Sequence, residues 1–224
     1  MSLILHIDTA VQSASVCLAD GKTILGTLVN PSEKESASWL HLAIRDILAQ
    51  NNLAANQLKG IAVSAGPGSY TGLRVGMAAA KGLCYALSLP LISINTLQMM
   101  AAAVKESNAD LLCPMIDARR MEVFTALYNT ALQEVLPSTN WILDENTFGE
   151  WLQSNRIVFF GNGSEKAANV INHPNASFVH IKANASAMVL LAAEKFAQDQ
   201  FSDLAYTEPF YGKAFHSPIS KKFY

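Results

Sequence analysis

Two short strings recur along this chain in the same order. His6-Ile7-Asp8-Thr9-Ala10 is matched by Met115-Ile116-Asp117-Ala118-Arg119, and Gly66-Pro67-Gly68-Ser69 by Gly161-Asn162-Gly163-Ser164. Each acid closes an apolar run of strand type, and each glycine string comes directly after such a run. Shared order at shared positions points to an internal duplication, and a duplicated chain folds as two similar halves. Acid and glycine turn lie at 8 and 66 in the first half but at 117 and 161 in the second, so the second copy is the trimmed one. The division is placed between residues 106 and 107, giving a first lobe of 1–106 and a shortened second lobe with its tail, 107–224.

The local pattern gives an α/β chain. Leu3–Asp8, Ser15–Asp20 and Lys22–Leu28 read as strands, the last two joined at Asp20-Gly21, a dipeptide suited to the positive φ of a tight hairpin turn. Ser32-Glu33-Lys34-Glu35 fits a capping box ahead of a helix on which Trp39, Ala43 and Ile47 form one row and Leu40, Ile44 and Leu48 the next. Leu58–Ala65 is a strand and Gly66–Gly72 a turn. Leu73–Leu87 is a helix, with Leu73, Met77, Ala80, Cys84 and Leu87 at 4-3-4-3 spacing. Pro90–Asn95 is a strand and Leu97–Val104 a helix. Leu111–Asp117, Met121–Tyr128 and Ile157–Phe160 are strands of the second half, with no clear pattern between the last two. Two halves of this order, each with a strand-end acid and a glycine turn, suggest the actin- and hexokinase-like fold, in which two mixed sheets flanked by helices enclose a nucleotide cleft. The residues alone require only an α/β chain with mixed sheets.

Charge narrows the function. Sixteen Lys and Arg against eighteen Asp and Glu leave a net −2, so no overall positive field is available to hold a nucleic acid. Half of the residues are hydrophobic and 15% are charged, which excludes disorder and leaves apolar surface for a partner. No run approaches the ~18 apolar residues of a membrane span, and the first residues lack the basic stretch of a signal peptide. A cytosolic chain with no membrane contact is expected. Cys17, Cys84 and Cys113 are odd in number, far apart and flanked by apolar residues, the pattern of buried small hydrophobes rather than of a disulfide or zinc site.

The stretch Gly66–Arg74 lies between a strand and a helix, where free backbone N–H groups and a positive helix end suit an anion. Asp8, Thr9, Gly66, Gly68 and Ser69 are therefore the candidate nucleotide or phosphate residues. A structural role is open for the same stretch. Gly66 and Gly68 would permit a tight turn, Gly72 and Gly76 a close approach to a neighbour, and Thr71 could cap the helix, as could Ser69. The stretch has no Gly-Lys-Ser/Thr ending of a Walker loop, and the third glycine of a dinucleotide turn falls at Gly72 rather than at Thr71.

The string Gly66-Pro67-Gly68-Ser69-Tyr70-Thr71-Gly72-Leu73-Arg74-Val75-Gly76, continuing to Ala80-Lys81-Gly82-Leu83, resembles the signature of the bacterial TsaB family, also called YeaZ. Ile7-Asp8-Thr9, the segment Asp117–Val123, Gly161-Asn162-Gly163 and Pro209-Phe210-Tyr211-Gly212-Lys213 resemble family segments too, the last with Lys213 where the family has Arg. The resemblance implies a cytosolic protein required for threonylcarbamoyladenosine on tRNA, beside the anticodon. In that family the chain is a non-catalytic relative of TsaD, which transfers the threonylcarbamoyl group from threonylcarbamoyl-AMP to adenosine, joined by the small ATPase TsaE. The implied partners are TsaD, TsaE and a second copy of the chain, with tRNA reached only through the complex. No cofactor of its own is implied, an ATP or ADP at the interface with TsaD being the one nucleotide left open. Family members often carry His-Ser or His-Thr entering the first helix; here Ser36-Ala37 stands there.

Chemistry of its own is not expected. The His-x-x-x-His metal pair of TsaD-type proteins falls here on Thr96 and Met100, neither of which holds a transition metal as imidazole does. The five histidines (His6, His41, His173, His180, His216) are dispersed, and no serine sits in a Gly-x-Ser-x-Gly elbow. Asp8 and Asp117 are expected to cap turns, although in an actin-like ATPase such acids position metal and water. The alternative reading is a stand-alone ATPase or kinase of the same fold. With no catalytic or metal residue expected, function lies in a surface. The candidate partner-binding residues are Trp39, Leu42 and Ala43 on the first helix and Leu73, Met77, Ala80, Lys81 and Cys84 on the second. Trp39→Ala or Met77→Asp is accordingly expected to weaken dimerisation without unfolding the chain. The tail, with His216, Lys221, Lys222, Phe223 and Tyr224, carries too few cations to hold RNA by itself.

Overall fold

A computed structural model of the chain describes residues 2–32, 36–104 and 108–212. Glu33, Lys34 and Glu35 of the expected capping box, together with Lys213 and the basic and aromatic tail, lie outside the described residues. The first sheet is built from β1 (Leu3–Asp8), β2 (Ser15–Asp20), β3 (Thr23–Val29), β4 (Gly60–Ser64) and β5 (Leu91–Ile94), with α1 (Ser36–Gln50), α2 (Tyr70–Leu87) and α3 (Thr96–Ala102) between and after them. The second is built from β6 (Leu111–Asp117), β7 (Glu122–Asn129), β8 (Glu134–Ile142), β9 (Ile157–Phe160) and β10 (Ala176–Val179), with α4 (Gly149–Leu152), α5 (Ser164–Ala168) and α6 (Val189–Ala197).

The strand orders are β3-β2-β1-β4-β5 and β8-β7-β6-β9-β10, the same order in both lobes. In each, the first three strands form an antiparallel meander and the last two add in parallel beside the first. The repeated strings thus mark a repeated topology. What the second copy has lost is helix: α1 and α2 have 15 and 18 residues, whereas α4 and α5, in the same topological places, have 4 and 5.

Local chemistry accounts for the main elements. β1 is a central strand covered on both faces, so its sequence is a run of buried residues rather than an alternation. Gly21 at φ +57° turns the β2–β3 hairpin as Asp20-Gly21 predicts. α1 buries Leu40, Ala43, Ile44, Ile47 and Leu48, one stripe drawn from both rows read in the sequence, and lays it on the outer face of the first sheet. Beside it α2 buries Leu73, Met77, Ala80 and Cys84 and ends at Ser88 in left-handed backbone, two residues before Pro90.

Strand alternation divides the core. Leu3, Leu5 and Ile7 face α1 and α2, whereas Ile4 faces the other lobe, in a cluster shared with Ile116, Phe124 and Phe160 of the second sheet. Each lobe then sends its last helix across. α3 comes after β5 but packs on β6 and β7, and the 3₁₀ turn Ala185–Met188 with α6 comes after β10 but packs on β1, β2 and β5. The halves placed at 1–106 and 107–224 therefore interlock: chain order assigns residues 185–212 to the second lobe, yet α6 and the segment beyond it return to the first sheet. Ser202 bridges Leu91, and Phe210 donates its N–H to Ala65 O at 2.7 Å. The three cysteines are free and buried, each in a different cluster.

Candidate functional site

The two strand-end acids sit in different environments. Asp8 is fully buried; its Oδ1 accepts from Ser64 Oγ at 2.6 Å and Ala10 N at 3.0 Å, and its Oδ2 has no hydrogen-bond partner. Burial pushes its carboxyl up to about 6, against the smaller pull of those two donors. Asp117 is partly exposed. Its Oδ1 takes the Lys166 ammonium at 2.6 Å and the Arg119 N–H at 2.6 Å. Partial burial would raise this carboxyl, but Lys166 and the Arg119 N–H outweigh it and hold it below the usual carboxylate range.

The glycine turn is occupied by the protein itself. Thr9 and Ala10, leaving β1, run directly over it. A Cβ on Gly72 would lie 1.9 Å from Thr9 O, one on Gly76 2.2 Å from Thr9 Oγ1, and one on Gly68 2.4 Å from Ala10 O. Thr9 Oγ1 donates to Gly72 O at 2.7 Å, and Ser69 N donates to Ala10 O at 2.7 Å. Ser69 Oγ caps α2 by accepting from Gly72 N at 3.2 Å. Gly66, at φ +110°, is covered from the other side, where a Cβ would lie 2.1 Å from Phe210 O. At Gly66, Gly68 and Ser69, the residues expected to cradle a phosphate, the turn is thus closely packed: Ala10 O takes the Ser69 N–H and Thr96 Oγ1 the Gly66 N–H, while Gly68 and Ser69 still line the cleft in front of it. Asp8 is fully buried behind it, and Thr9, though buried, lies at the edge of the cleft.

A cleft of about 1140 Å³ does open between the lobes, in front of this packed turn. Val11, Tyr70, Thr71 and Tyr211 line its first-lobe side, and Asp117, Arg119, Phe124 and Asn162 its second-lobe side. Tyr211 arrives on the segment after α6, which Lys81 ties down by donating from Nζ to Ala205 O and Thr207 O, both at 3.1 Å. The Tyr70 and Tyr211 rings lie 4.9 Å apart, and the Arg74 guanidinium stands 4.7 Å from the Tyr70 centroid. Tyr70 and Arg74 are four apart on one helix and legible as a pair. Tyr211 is marked in the sequence only by the family resemblance of Pro209–Lys213, and it reaches the cleft by the long-range return of the chain, whereas Phe124 on β7 carries no signal of its own.

Several expected partner-binding residues face inward. Leu73, Ala80 and Cys84 are fully buried, Met77 is 3% exposed and Ala43 is also buried, all in the cluster against the first sheet. All five are core residues: Leu73, Met77, Ala80 and Cys84 form the stripe α2 lays on the sheet, and Ala43 belongs to the stripe of α1. Trp39 is half-buried against the same cluster. Lys81 holds the returning segment. Leu42 on α1 is 52% exposed and Tyr85 on α2 83%. Between the helices Ala37, His41, Ala78 and Gly82 line a shallow groove of about 410 Å³. Thr96 and Met100 are buried: Thr96 Oγ1 accepts from Gly66 N at 3.1 Å, and Met100 packs between the lobes. Among the described residues no three His, Cys, Asp or Glu side chains gather as a metal site would require, and no helix is long and apolar enough to cross a membrane.

Fold and cleft define the class: a duplicated, two-lobed chain of the actin- and hexokinase-like fold. The chain matches the TsaD family, described as tRNA N6-adenosine threonylcarbamoyltransferase, over residues 25–207. It is 32% identical over 153 residues to the tRNA threonylcarbamoyladenosine biosynthesis protein TsaB of Bacillus subtilis, covering 67% of this chain and 64% of that one. It is 33% identical over 177 residues to the protein of the same name from Haemophilus influenzae, covering 77% and 69%. The chain thus spans roughly two thirds of the length of these relatives. A solved Pseudomonas aeruginosa protein, described as uncharacterized with similarity to peptidase YEAZ, superposes with a TM-score of 0.83 at 25% identity, over 95% of this chain and all of that one. The chain belongs to the TsaB (YeaZ) branch of the TsaD family.

Proposed function

We propose that the chain is a non-catalytic subunit which, with a TsaD-type transferase and TsaE, is required to form threonylcarbamoyladenosine next to the anticodon of tRNA. The names of its relatives support the process. The observation that carries the non-catalytic role is the close-packed glycine turn, where Thr9 O and Ala10 O lie against Gly72 and Gly68 and Ala10 O takes the Ser69 N–H. Asp8 behind it is fully buried, out of reach of a substrate in the cleft. Binding then rests on α1 and α2, whose outer sides carry the exposed Leu42 and Tyr85, with Ala78 in the shallow groove between the helices. That surface serves a second copy of the chain or TsaD, in competition. No cofactor belongs to the chain itself; any ATP or ADP is held at the junction with TsaD, and the protein works in the cytoplasm.

The stand-alone ATPase or kinase reading has one observation in its favour, the open cleft with Asp117 at its rim. One experiment separates the two. The chain, TsaD, TsaE, tRNA and threonylcarbamoyl-AMP are combined, and each protein is omitted in turn while modified nucleoside is counted. The proposal requires that omission of this chain abolish the product and that the chain alone neither form product nor hydrolyse ATP. Turnover by the purified chain would replace it with the enzyme reading.

A further inference from the structure

The groove between α1 and α2 is apolar but for one side chain. Alanine, glycine, valine and leucine line it, Ala37, Val75, Ala78 and Gly82 among them, together with His41. His41 is exposed, and its imidazole has no partner among the described residues. A protein surface laid into the groove takes that imidazole out of water. Burying its charged form there without a counter-ion is costly, whereas the neutral form is tolerated.

For a second copy of the chain the facing groups are known, because they are α1 and α2 again. The two helices hold one acid, Asp46, and Arg45 takes it at 2.8 Å. Their other cations are engaged away from the groove: Arg74 stands over Tyr70, and Lys81 donates to Ala205 O and Thr207 O of the returning segment. Asp203 and Glu208 belong to that segment, on the Lys81 side of α2 rather than the groove side. The sheet lies beneath the opposite side of α1, where Leu40, Ile44 and Ile47 are buried. Glu33, Lys34 and Glu35, ahead of α1, lie outside the described residues. Neither helix therefore brings a free acid to a charged His41. With His41 neutral the same face suits a copy of itself. It has a valley of small residues at Ala37, Ala78 and Gly82, and a projecting Tyr85 two turns past Ala78 on the same side of α2. A surface with both hollow and projection is what a two-fold pair requires.

We propose that His41 is a pH switch for self-association: its protonation parts two chains docked through α1 and α2. The inference rests on the reading above that this surface takes a second copy, and adds how that contact is regulated. A pair holds His41 twice, so up to two protons leave on association. The pair therefore weakens as pH falls through the range in which imidazole takes up charge.

Sedimentation of the full chain at pH 7.5 and 5.5 measures the effect, with circular dichroism at both to confirm the fold. The dissociation constant is expected to rise at least about 10-fold at pH 5.5. His41→Gln should remove that rise. His41→Lys fixes a charge at the same exposed position and needs no acid to read. It should weaken pairing at least about 10-fold at pH 7.5 while the melting temperature of the chain holds. Equal constants at the two pH values, a rise that survives in folded His41→Gln, or wild-type pairing by His41→Lys would each overturn the proposal. A dimer indifferent to pH removes the switch alone, whereas a chain monomeric at both pH values also removes the second copy as an occupant of this surface.

Discussion

Gly72 and Gly82 lie on the same helix and should respond to alanine in opposite directions. At Gly72 the new Cβ would stand 1.9 Å from Thr9 O and 3.2 Å from Ser69 Cβ, well inside contact distance. The backbone after β1 has to retreat by roughly 1 Å or more to restore ordinary contact, which breaks the Thr9 Oγ1–Gly72 O bond. Overpacking costs about 1–3 kcal/mol and a buried bond left unmade about 1–3 kcal/mol, against at most about 1 kcal/mol gained in helix propensity. The net loss is about 3 kcal/mol, or a Tm lower by about 6–12 °C in a chain of this size. At Gly82 a Cβ meets nothing within 4 Å, so alanine should stabilise by about 0.5–1 kcal/mol. Thermal melts followed by circular dichroism on the two variants, at equal dilute concentration, give the answer. A Gly72→Ala protein that melts with the wild type would show that the turn after β1 does not rest on the helix, and the case for a filled glycine turn would fail with it.

Three further outcomes are expected. Met77→Asp should unfold the chain rather than loosen an interface, since a buried unpaired carboxylate costs several kcal/mol against a total stability of about 5–15 kcal/mol; a folded variant by circular dichroism would contradict this. Leu42→Asp combined with Tyr85→Asp should leave the fold intact and reduce self-association in sedimentation, and unchanged association would remove α1 and α2 as the docking surface. Asp8 and His6 should oppose each other in pH dependence. Burial raises Asp8 to about 6, so the folded state binds the extra proton between about pH 4 and 6 and stability from this group falls as pH rises. Burial lowers His6 to about 4, so the unfolded state binds more protons between about pH 4 and 6.5 and stability from His6 rises with pH. Asp8→Asn should therefore lose stability on acidification from pH 6.5 to 4.5 by about 2 kcal/mol more than the wild type in urea titrations, and a pH-independent difference between the two would refute the assignment.

The duplication, the central strands and the long helices are legible in the sequence because their signals are local: apolar runs closing on an acid, a 3.6-residue stripe, and Asp20-Gly21 at a turn. β8 escapes because an edge strand alternates weakly and tolerates Pro137 among polar residues. β10, α4 and α5 are too short, at 4 or 5 residues, to show a period. The glycine stretch can be read either as an anion turn or as a close-packing turn. The packing role is visible only once Thr9 and Ala10, contributed from β1, are placed over it. The stripe of α2 is real, yet it is core and not interface, because periodicity says which residues share a face and not what that face meets. The cleft is least legible, since its rings come from positions 70, 124 and 211, gathered by a segment that returns to the first lobe after the second is complete.

That the chain acts through its surface rather than through chemistry is tested most directly by comparing two variants in the complete modification mixture. Asp8→Asn removes the one fully buried acid of the first lobe among the described residues, and Leu42→Asp/Tyr85→Asp alters only exposed side chains of α1 and α2. The account predicts wild-type rates of threonylcarbamoyladenosine formation with the first and a loss of at least about 10-fold with the second, recoverable at high protein concentration. A folded Asp8→Asn chain that stops the reaction while still binding its partner, beside a surface variant that works normally, would contradict it.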